Sequence, residues 1–387
     1  MSERLFTPRF LVMCGFTFTV FLSEFQLLPT APFRIQELGG TTFAAGLFLG
    51  CLTYASATSA PFTGALAHRI GRRRTLLIAS AVSFLCSIGY GLARAYPLML
   101  ALVVVHGVFW SALLSASAAY LTNMLPERRR AEGIGYWGLS SVASIAVAPP
   151  LAFWLMQRAG WTAICVSCAA LNVLMGAIAF ALPDEAPHEQ QLLLPFAGEA
   201  RLPRLVEWRV LALSLTLFMY SFGYGAITSF SAMFADALGV SPKSIYLTLL
   251  AVVILLTRPL SGVLADRIGY RRVFLPCLAL IAAGLAVLAS ASTLAALVAS
   301  AVIFGVGFGT AYPVFVAYVM RDVHVARRGA AFGAILAAFD TGIGTGSTTV
   351  GFLIERFGFG KAFGVAAMLS VVALPYFVLV ERRIGLR

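Results

Sequence analysis

The sequence predicts an all-α membrane protein of twelve transmembrane helices, arranged as two pseudo-symmetric six-helix bundles. Three observations predict it: an apolar composition, hydrophobic segments each about one bilayer long, and a second half that echoes the first. Of 387 residues, 60% are hydrophobic and 11% charged, against roughly 45–50% and 25% in soluble domains. A globular core cannot hide that much apolar surface, and lipid offers no partners for open backbone groups, so the spans must be helices. A transmembrane barrel would show ~10-residue alternating segments, and none is present.

A hydrocarbon core of ~30 Å needs about 20 apolar residues per helix. The spans are expected near 10–32, 42–66, 75–93, 97–122, 133–156, 161–182, 210–233, 245–265, 273–291, 293–319, 330–353 and 361–380. The longest polar interruption, 183–209, holds Pro183, Pro187, Pro195 and Pro203. It divides the chain into a bundle at 1–182, a linker at 183–209 and a bundle at 210–387. Arg4 and Arg9 precede the first apolar run without a small-residue cleavage site at its end, which reads as a retained span and not a cleaved leader.

The net charge of +12 is not a nucleic-acid footprint, because it is dispersed over short loops. With the N-terminus inside, segments on the cytoplasmic side hold 21 of the 28 Lys and Arg residues. That asymmetry predicts both termini in the cytoplasm. Six cysteines (Cys14, Cys51, Cys86, Cys165, Cys168, Cys277) fall in apolar spans. Cys165 and Cys168 form a C-x-x-C, but no second pair or nearby histidine completes a metal site, so they read as packing residues. Neither metal nor cofactor is expected.

The repeat has one fixed offset of 198 residues from the second span to the eleventh. Pro61 maps to Pro259, Gly107 to Gly305, Gly135 to Gly333 and Arg158 to Arg356. Gly64, His68, Arg69 and Gly71 map to Gly262, Asp266, Arg267 and Gly269, and Arg73 maps to Arg271. Two such bundles imply a site at their interface near the midplane. With Arg72 and Arg272 the doubled segment resembles the loop signature of the major facilitator superfamily. Pro126-Glu-Arg-Arg-Arg130 and Leu28-Pro-Thr-Ala-Pro32 resemble the compact bacterial drug–proton antiporters of that superfamily.

The resemblance implies a secondary transporter in the bacterial inner membrane, expected as a monomer, that takes a small-molecule substrate and uses protons as its coupling ion. It also implies that the first, fourth, seventh and tenth helices line a central cavity. The signature residues then form a cytoplasmic gate, in which an Asp beside several Arg makes charge-assisted bonds when that face closes. Two departures stand out. His68 replaces the first-half acid, and the fourth span carries Val103-Val-Val-His106-Gly107 where the family places an Arg.

Within the spans, residues at their very ends aside, Glu24, His106, Arg258 and Asp340 are the charged or imidazole-bearing groups. Each costs about 2.5–3.5 kcal/mol or more at membrane depth, so such groups face a partner, the bundle interior or water. Glu24 lies roughly 22 Å along the first helix, among Phe16, Phe18, Phe21 and Phe25. It is the leading candidate for carrying a proton or meeting a cationic substrate. Asp340 and Arg258, roughly 16 and 12 Å from the cytoplasmic ends of their helices, are deep enough to pair. On the fourth span His106, Trp110, Leu113, Ser117 and Tyr120 share a face, which directs His106 towards the cavity. Tyr220 and Tyr224 in the seventh span, with Trp110, Tyr120, Phe21 and Tyr312, suggest an aromatic-bearing pocket.

The function expected is proton-coupled export of a small amphipathic organic compound. Alternatives are uptake by symport, or transport of a metabolite such as a sugar, an amino-acid derivative or a metal-chelating compound. A membrane enzyme needs a nucleophile–base or metal constellation, and His68, His106, His188 and His324 are scattered. A receptor would be expected to carry a signalling domain. Under the 198 offset Glu24 and His106 fall opposite Phe222 and Phe304, and Asp340 and Arg258 opposite Val142 and Ala60.

Overall fold

A computed structural model describes residues 5–126, 129–183, 208–321, 323 and 328–384, apart from the side chains of 68, 130, 131, 328–330 and 384. The linker expected at 183–209 lies almost wholly outside the described residues, as do Glu127 and Arg128 of the segment before the fifth span. Eleven helices run through the described residues: α1 (Pro8–Leu27), α2 (Ala31–Glu37), α3 (Thr42–Ile70), α4 (Arg72–Leu92), α5 (Tyr96–Met124), α6 (Arg130–Ala181), α7 (Trp208–Ala237), α8 (Ile245–Ile268), α9 (Tyr270–Ala289), α10 (Leu294–Arg321) and α11 (Arg328–Ile384).

These are twelve spans, because two helices each contain a pair. In α6 the backbone turns at Gly160 (φ 72°), and in α11 at Gly358 (φ 80°), 198 residues later. The first span is split into α1 and α2 instead of running on to 32. Pro29 and Pro32 offer no N–H there, and Thr30 Oγ1 donates to the Gln26 carbonyl at 2.5 Å.

Gly71 (φ 92°, ψ 145°) and Gly269 (φ 94°, ψ 140°) are one-residue breaks, between α3 and α4 and between α8 and α9. A side chain at that positive φ is strained, which is the local reason the doubled signature carries a glycine there. Gly39 and Gly239 turn the chain between the first and second spans of each half. They are 200 residues apart, so the first and seventh spans follow a slightly different register. In that register Glu24 stands opposite Tyr224, not Phe222.

Large apolar side chains face outward, as lipid contact requires: Phe62, Leu256, Phe180 and Met368 are 67–74% exposed. The centre is unusually polar for a core. Thr17, Ser23, Glu24, Gln26, His106, Ser111, Ser144, Ser229 and Ser347 are all buried. Many bond across helices: Ser144 Oγ donates to the Phe18 carbonyl at 2.9 Å and Trp137 Nε1 to Thr17 Oγ1 at 2.6 Å. Small residues let helices approach closely. Any side chain at Gly225, Gly342 or Gly346 would collide with the facing backbone of α11 or α7.

The halves meet chiefly through α3 with α11 and α6 with α8. At the end carrying Gly39 and Gly239, Ser347 Oγ donates to the Gly46 carbonyl at 2.8 Å. There the Phe43 N–H also donates to Glu355 at 3.1 Å, and Lys243 sits 5.0 Å over the Phe33 ring. Tyr54 and Thr345 share a hydrogen bond of 2.9 Å one turn further in.

Candidate functional site

A cavity of about 280 Å³ lies between the halves, near the low end of the ~300–1,000 Å³ usual for small-molecule sites. Helix α1 contributes Phe21, Glu24, Phe25 and Leu28, the i, i+3, i+4, i+7 face of one helix. Six pairs of lining residues are related by the 198 offset: Thr53 and Ala251, Trp110 and Phe308, Leu114 and Tyr312, Ser141 and Phe339, Val142 and Asp340, Ile145 and Ile343. Glu24 and Tyr224, and Leu28 and Thr228, are related by 200. The cavity is therefore built twice from one pattern, with apolar groups in one copy where the other has polar ones.

Glu24 is 2% exposed. Its Oε2 lies 3.4 Å from His106 Nε2, while its Oε1 has no hydrogen-bond partner among the described residues. His106 does not line the cavity. It stands behind Glu24, its Nδ1 3.2 Å from the hydroxyl of buried Tyr90. The Tyr90 carbonyl accepts from Trp161 Nε1 at 2.9 Å, so the second ring of this chain is fixed from both ends. The chain Glu24–His106–Tyr90 thus runs from the cavity wall into the first half. Tyr90 carried no signal at the sequence level beyond being a tyrosine in an apolar span.

Arg258 and Asp340 both line the cavity but do not pair. Ser56 of the other half is the polar side chain that acts on the Asp340 carboxyl. Tyr312 and Tyr224 line the same cavity as Arg258. Similar depth had suggested a pair; depth along two helices does not fix the direction in which their side chains project. Aromatic rings form the walls: Phe21 meets Trp110 edge-on at 5.2 Å, Tyr224 stacks on Phe308 at 4.3 Å, and Tyr312 packs on Phe339 at 4.9 Å. Tyr120 and Tyr220 lie elsewhere. Tyr120 donates to the Pro183 carbonyl at 3.3 Å, and Tyr220 is buried against Phe274 and Phe308 with its hydroxyl unpartnered.

The family model for the Major Facilitator Superfamily matches residues 13–247 and 213–385. The chain belongs to the Major Facilitator Superfamily. An MFS-type transporter of Pseudomonas aeruginosa is 28% identical over 378 residues, covering 95% of this chain and 92% of its own. The staphylopine export protein of Staphylococcus aureus is 22% identical over 352 residues, covering 89% and 88%. Among solved structures, a D-xylose–proton symporter superposes with a TM-score of 0.78 at 16% identity, covering 95% and 96%. The chain is thus a multi-pass membrane protein with the fold and family of transporters.

The superfamily signature can be placed residue by residue. Arg73 Nη2 donates to the Phe180 carbonyl at 2.6 Å, with its guanidinium 5.2 Å over the Phe180 ring. Its counterpart Arg271 pairs with Glu381 at 2.8 Å, and Glu381 also accepts from Tyr318 at 2.6 Å. Asp266 accepts from Tyr270 at 2.7 Å and makes no ion pair with a described residue; the side chains of Arg128, Arg130, Arg327 and Arg328 lie outside the described residues. Arg69, Arg267 and Ile268 are exposed, and methyl groups added at Gly64, Gly71, Gly262 or Gly269 would meet nothing within 4 Å. The side chain of His68 lies outside the described residues. Arg72 and Arg272 flank the same two breaks at the starts of α4 and α9.

Proposed function

We propose that this chain is a secondary transporter working by alternating access, and that it exports a small amphipathic organic compound in exchange for protons. The bundles at 1–182 and 210–387 rock about the cavity, with 183–209 as their link. The observation that carries this reading is Glu24: a buried carboxyl on the cavity wall, with one oxygen unpartnered and the other facing His106. A carboxyl group is acceptor-only when ionised and gains a donor when protonated, so proton uptake changes what Glu24 offers a substrate. Asp340, on the opposite half, is the second carboxyl of the same cavity, and His106 and Arg258 tune the pair. The excess of Lys and Arg in alternate loops supports cytoplasmic termini in a bacterial inner membrane. In that orientation the end closed by Ser347 and Gly46 is external and the cavity is poised towards the cytoplasm.

The driving force is adequate. One proton descending one pH unit releases about 1.4 kcal/mol, which supports a tenfold substrate gradient; one charge crossing 100 mV adds about 2.3 kcal/mol. The test is transport in proteoliposomes under an imposed pH gradient. Gradient-driven accumulation is expected in the wild type and is expected to fall to the passive level in Glu24→Gln. Unchanged gradient-driven transport in that variant would overturn the assignment.

A second reading keeps the site and changes the cargo to one specific metabolite. The Staphylococcus aureus relative, which covers 89% of this chain and is named for staphylopine export, supports export of a dedicated compound over broad drug efflux. Substrate competition in the same vesicles separates the two.

A further inference from the structure

Three groups in the cavity can carry charge, and they are not equivalent. Glu24 and Asp340 can each be discharged by a proton. The guanidinium of Arg258 cannot, because it stays charged at any accessible pH. Arg258 is the cavity's permanent charge, yet it makes no ion pair with a described residue. Asp340 and Arg258 line the same cavity without pairing, and Tyr224 and Tyr312 line it with them. A cation held away from bulk water without a counter-charge is costly, and a bound anion removes that cost with two parallel bonds to the guanidinium fork.

We propose that the substrate is a small organic acid: an anionic headgroup docked on Arg258, and a flat apolar body held between the aromatic walls of the two halves. This rests on the reading of the cavity as the transport site. Headgroup recognition belongs to the second half, through Arg258 with Tyr224 and Tyr312, which line the same cavity. The body lies between Trp110 and Phe21 on one side and Phe308 and Phe339 on the other. The unpartnered Oε1 of Glu24 then takes a donor from the far end of the ligand. The 198 offset sharpens the point: the position equivalent to Arg258 is Ala60, which is absent from the cavity lining. The charge anchor is thus a property of one half only, and it orients the ligand.

The test is a binding measurement without any gradient, so its outcome is independent of whether transport is coupled to protons. The purified full-length chain is titrated with naphthylacetate and naphthalenesulfonate, with naphthylacetamide as the neutral match and naphthylethylamine as the cationic one, reading ligand-dependent thermal stabilisation. The two acids are expected to stabilise saturably, and the amide and amine much less. Arg258→Gln is expected to weaken the acids by about 30-fold, equivalent to about 2 kcal/mol, and to leave the amide unchanged. Arg258→Lys, which keeps the charge and loses the fork, is expected to fall between, and it carries the test if Arg258→Gln does not purify as a monodisperse species. The proposal is overturned if neither acid binds, if the amine binds as well as the acids, or if the acids bind either variant as tightly as the wild type.

Discussion

The closed end of the molecule gives the sharpest prediction, at Gly46. A methyl group added there would lie 2.5 Å from the Ser347 carbonyl oxygen, 3.1 Å from its carbon and 3.2 Å from Thr348 Cα. All three are backbone atoms of α11, in the other half, and cannot swing aside. Overpacking of this kind costs about 1–3 kcal/mol, and it applies only while the halves touch at this end. Gly46→Ala should therefore shift the rocking equilibrium away from this state by about 5- to 150-fold. Ser347→Ala acts on the same contact more weakly. It removes one bond across the halves, to the Gly46 carbonyl at 2.8 Å, and one within the second half, to Ser229 at 2.7 Å. Only the first changes on rocking, and it contributes about 0.6–1.5 kcal/mol, or roughly 3- to 12-fold. Spin labels at exposed Glu37 and Ser241, in a background with the native cysteines replaced, report the separation at this end. Gly46→Ala should broaden the distance distribution towards longer values, Ser347→Ala less so. Gly64→Ala, which meets nothing within 4 Å, should not lengthen it. An unchanged distribution in Gly46→Ala would refute the idea that close backbone contact holds this end shut.

Two further outcomes follow from pairs described above. Glu381 is 5% exposed and bridges Arg271 and Tyr318, so Arg271→Gln strands a buried carboxylate while Glu381→Gln leaves a neutral, still bonded side chain. Arg271 is half exposed, which discounts the pair; a loss of about 1–2 kcal/mol for Arg271→Gln against under ~1 for Glu381→Gln is expected from thermal unfolding in detergent. Tyr90→Phe removes the hydroxyl behind His106. Gradient-driven transport should fall by about 2- to 12-fold, the equivalent of one lost hydrogen bond, with substrate affinity retained. A cycle with His106→Gln should be non-additive.

The spans and the repeat were legible because lipid imposes length and composition on every helix, and because one offset is a one-dimensional signal. The same offset also relates the two walls of the cavity. Applied to Trp110 it gives Phe308, applied to Tyr312 it gives Leu114, and applied to Asp340 it gives Val142; all of these line the cavity. The two extra residues between Gly39 and Gly64, relative to Gly239 and Gly262, hid the pairing of Glu24 with Tyr224. Azimuth was not legible in the central helices. Nearly every residue of α7 from Tyr220 to Ala235 is buried, so no polar face marks which way it points, and Tyr220 and Tyr224, one turn apart, part company. On α5 His106 and Trp110 lie one turn apart, but only Trp110 lines the cavity, because Glu24 stands between His106 and the opening.

The broken symmetry has two kinds, and they call for different explanations. Tyr120 and Tyr318 occupy equivalent positions, as do Arg73 and Arg271 and, at the acceptor, Pro183 and Glu381. In the second half α11 continues to Ile384, its carbonyls stay inside the helix, and a carboxylate side chain must supply the negative charge that Arg271 meets. In the first half α6 ends at Ala181, and its last carbonyls are left without intrahelical donors. They carry the partial negative charge of a helix C-terminus. Arg73 takes the Phe180 carbonyl and shares that of Ala179 with the Leu182 N–H, and Tyr120 takes the Pro183 carbonyl beyond. The chemistry differs, but every group in both fastenings is satisfied, so the asymmetry there preserves one scaffold geometry. In the cavity the differing groups are not satisfied among the described residues: Glu24 keeps an unpartnered oxygen opposite Tyr224, and Arg258 forms no ion pair opposite Ala60. A difference that leaves both copies of a contact complete needs no ligand to account for it. The cavity's differences leave polar groups open, which a scaffold alone would not retain at membrane depth.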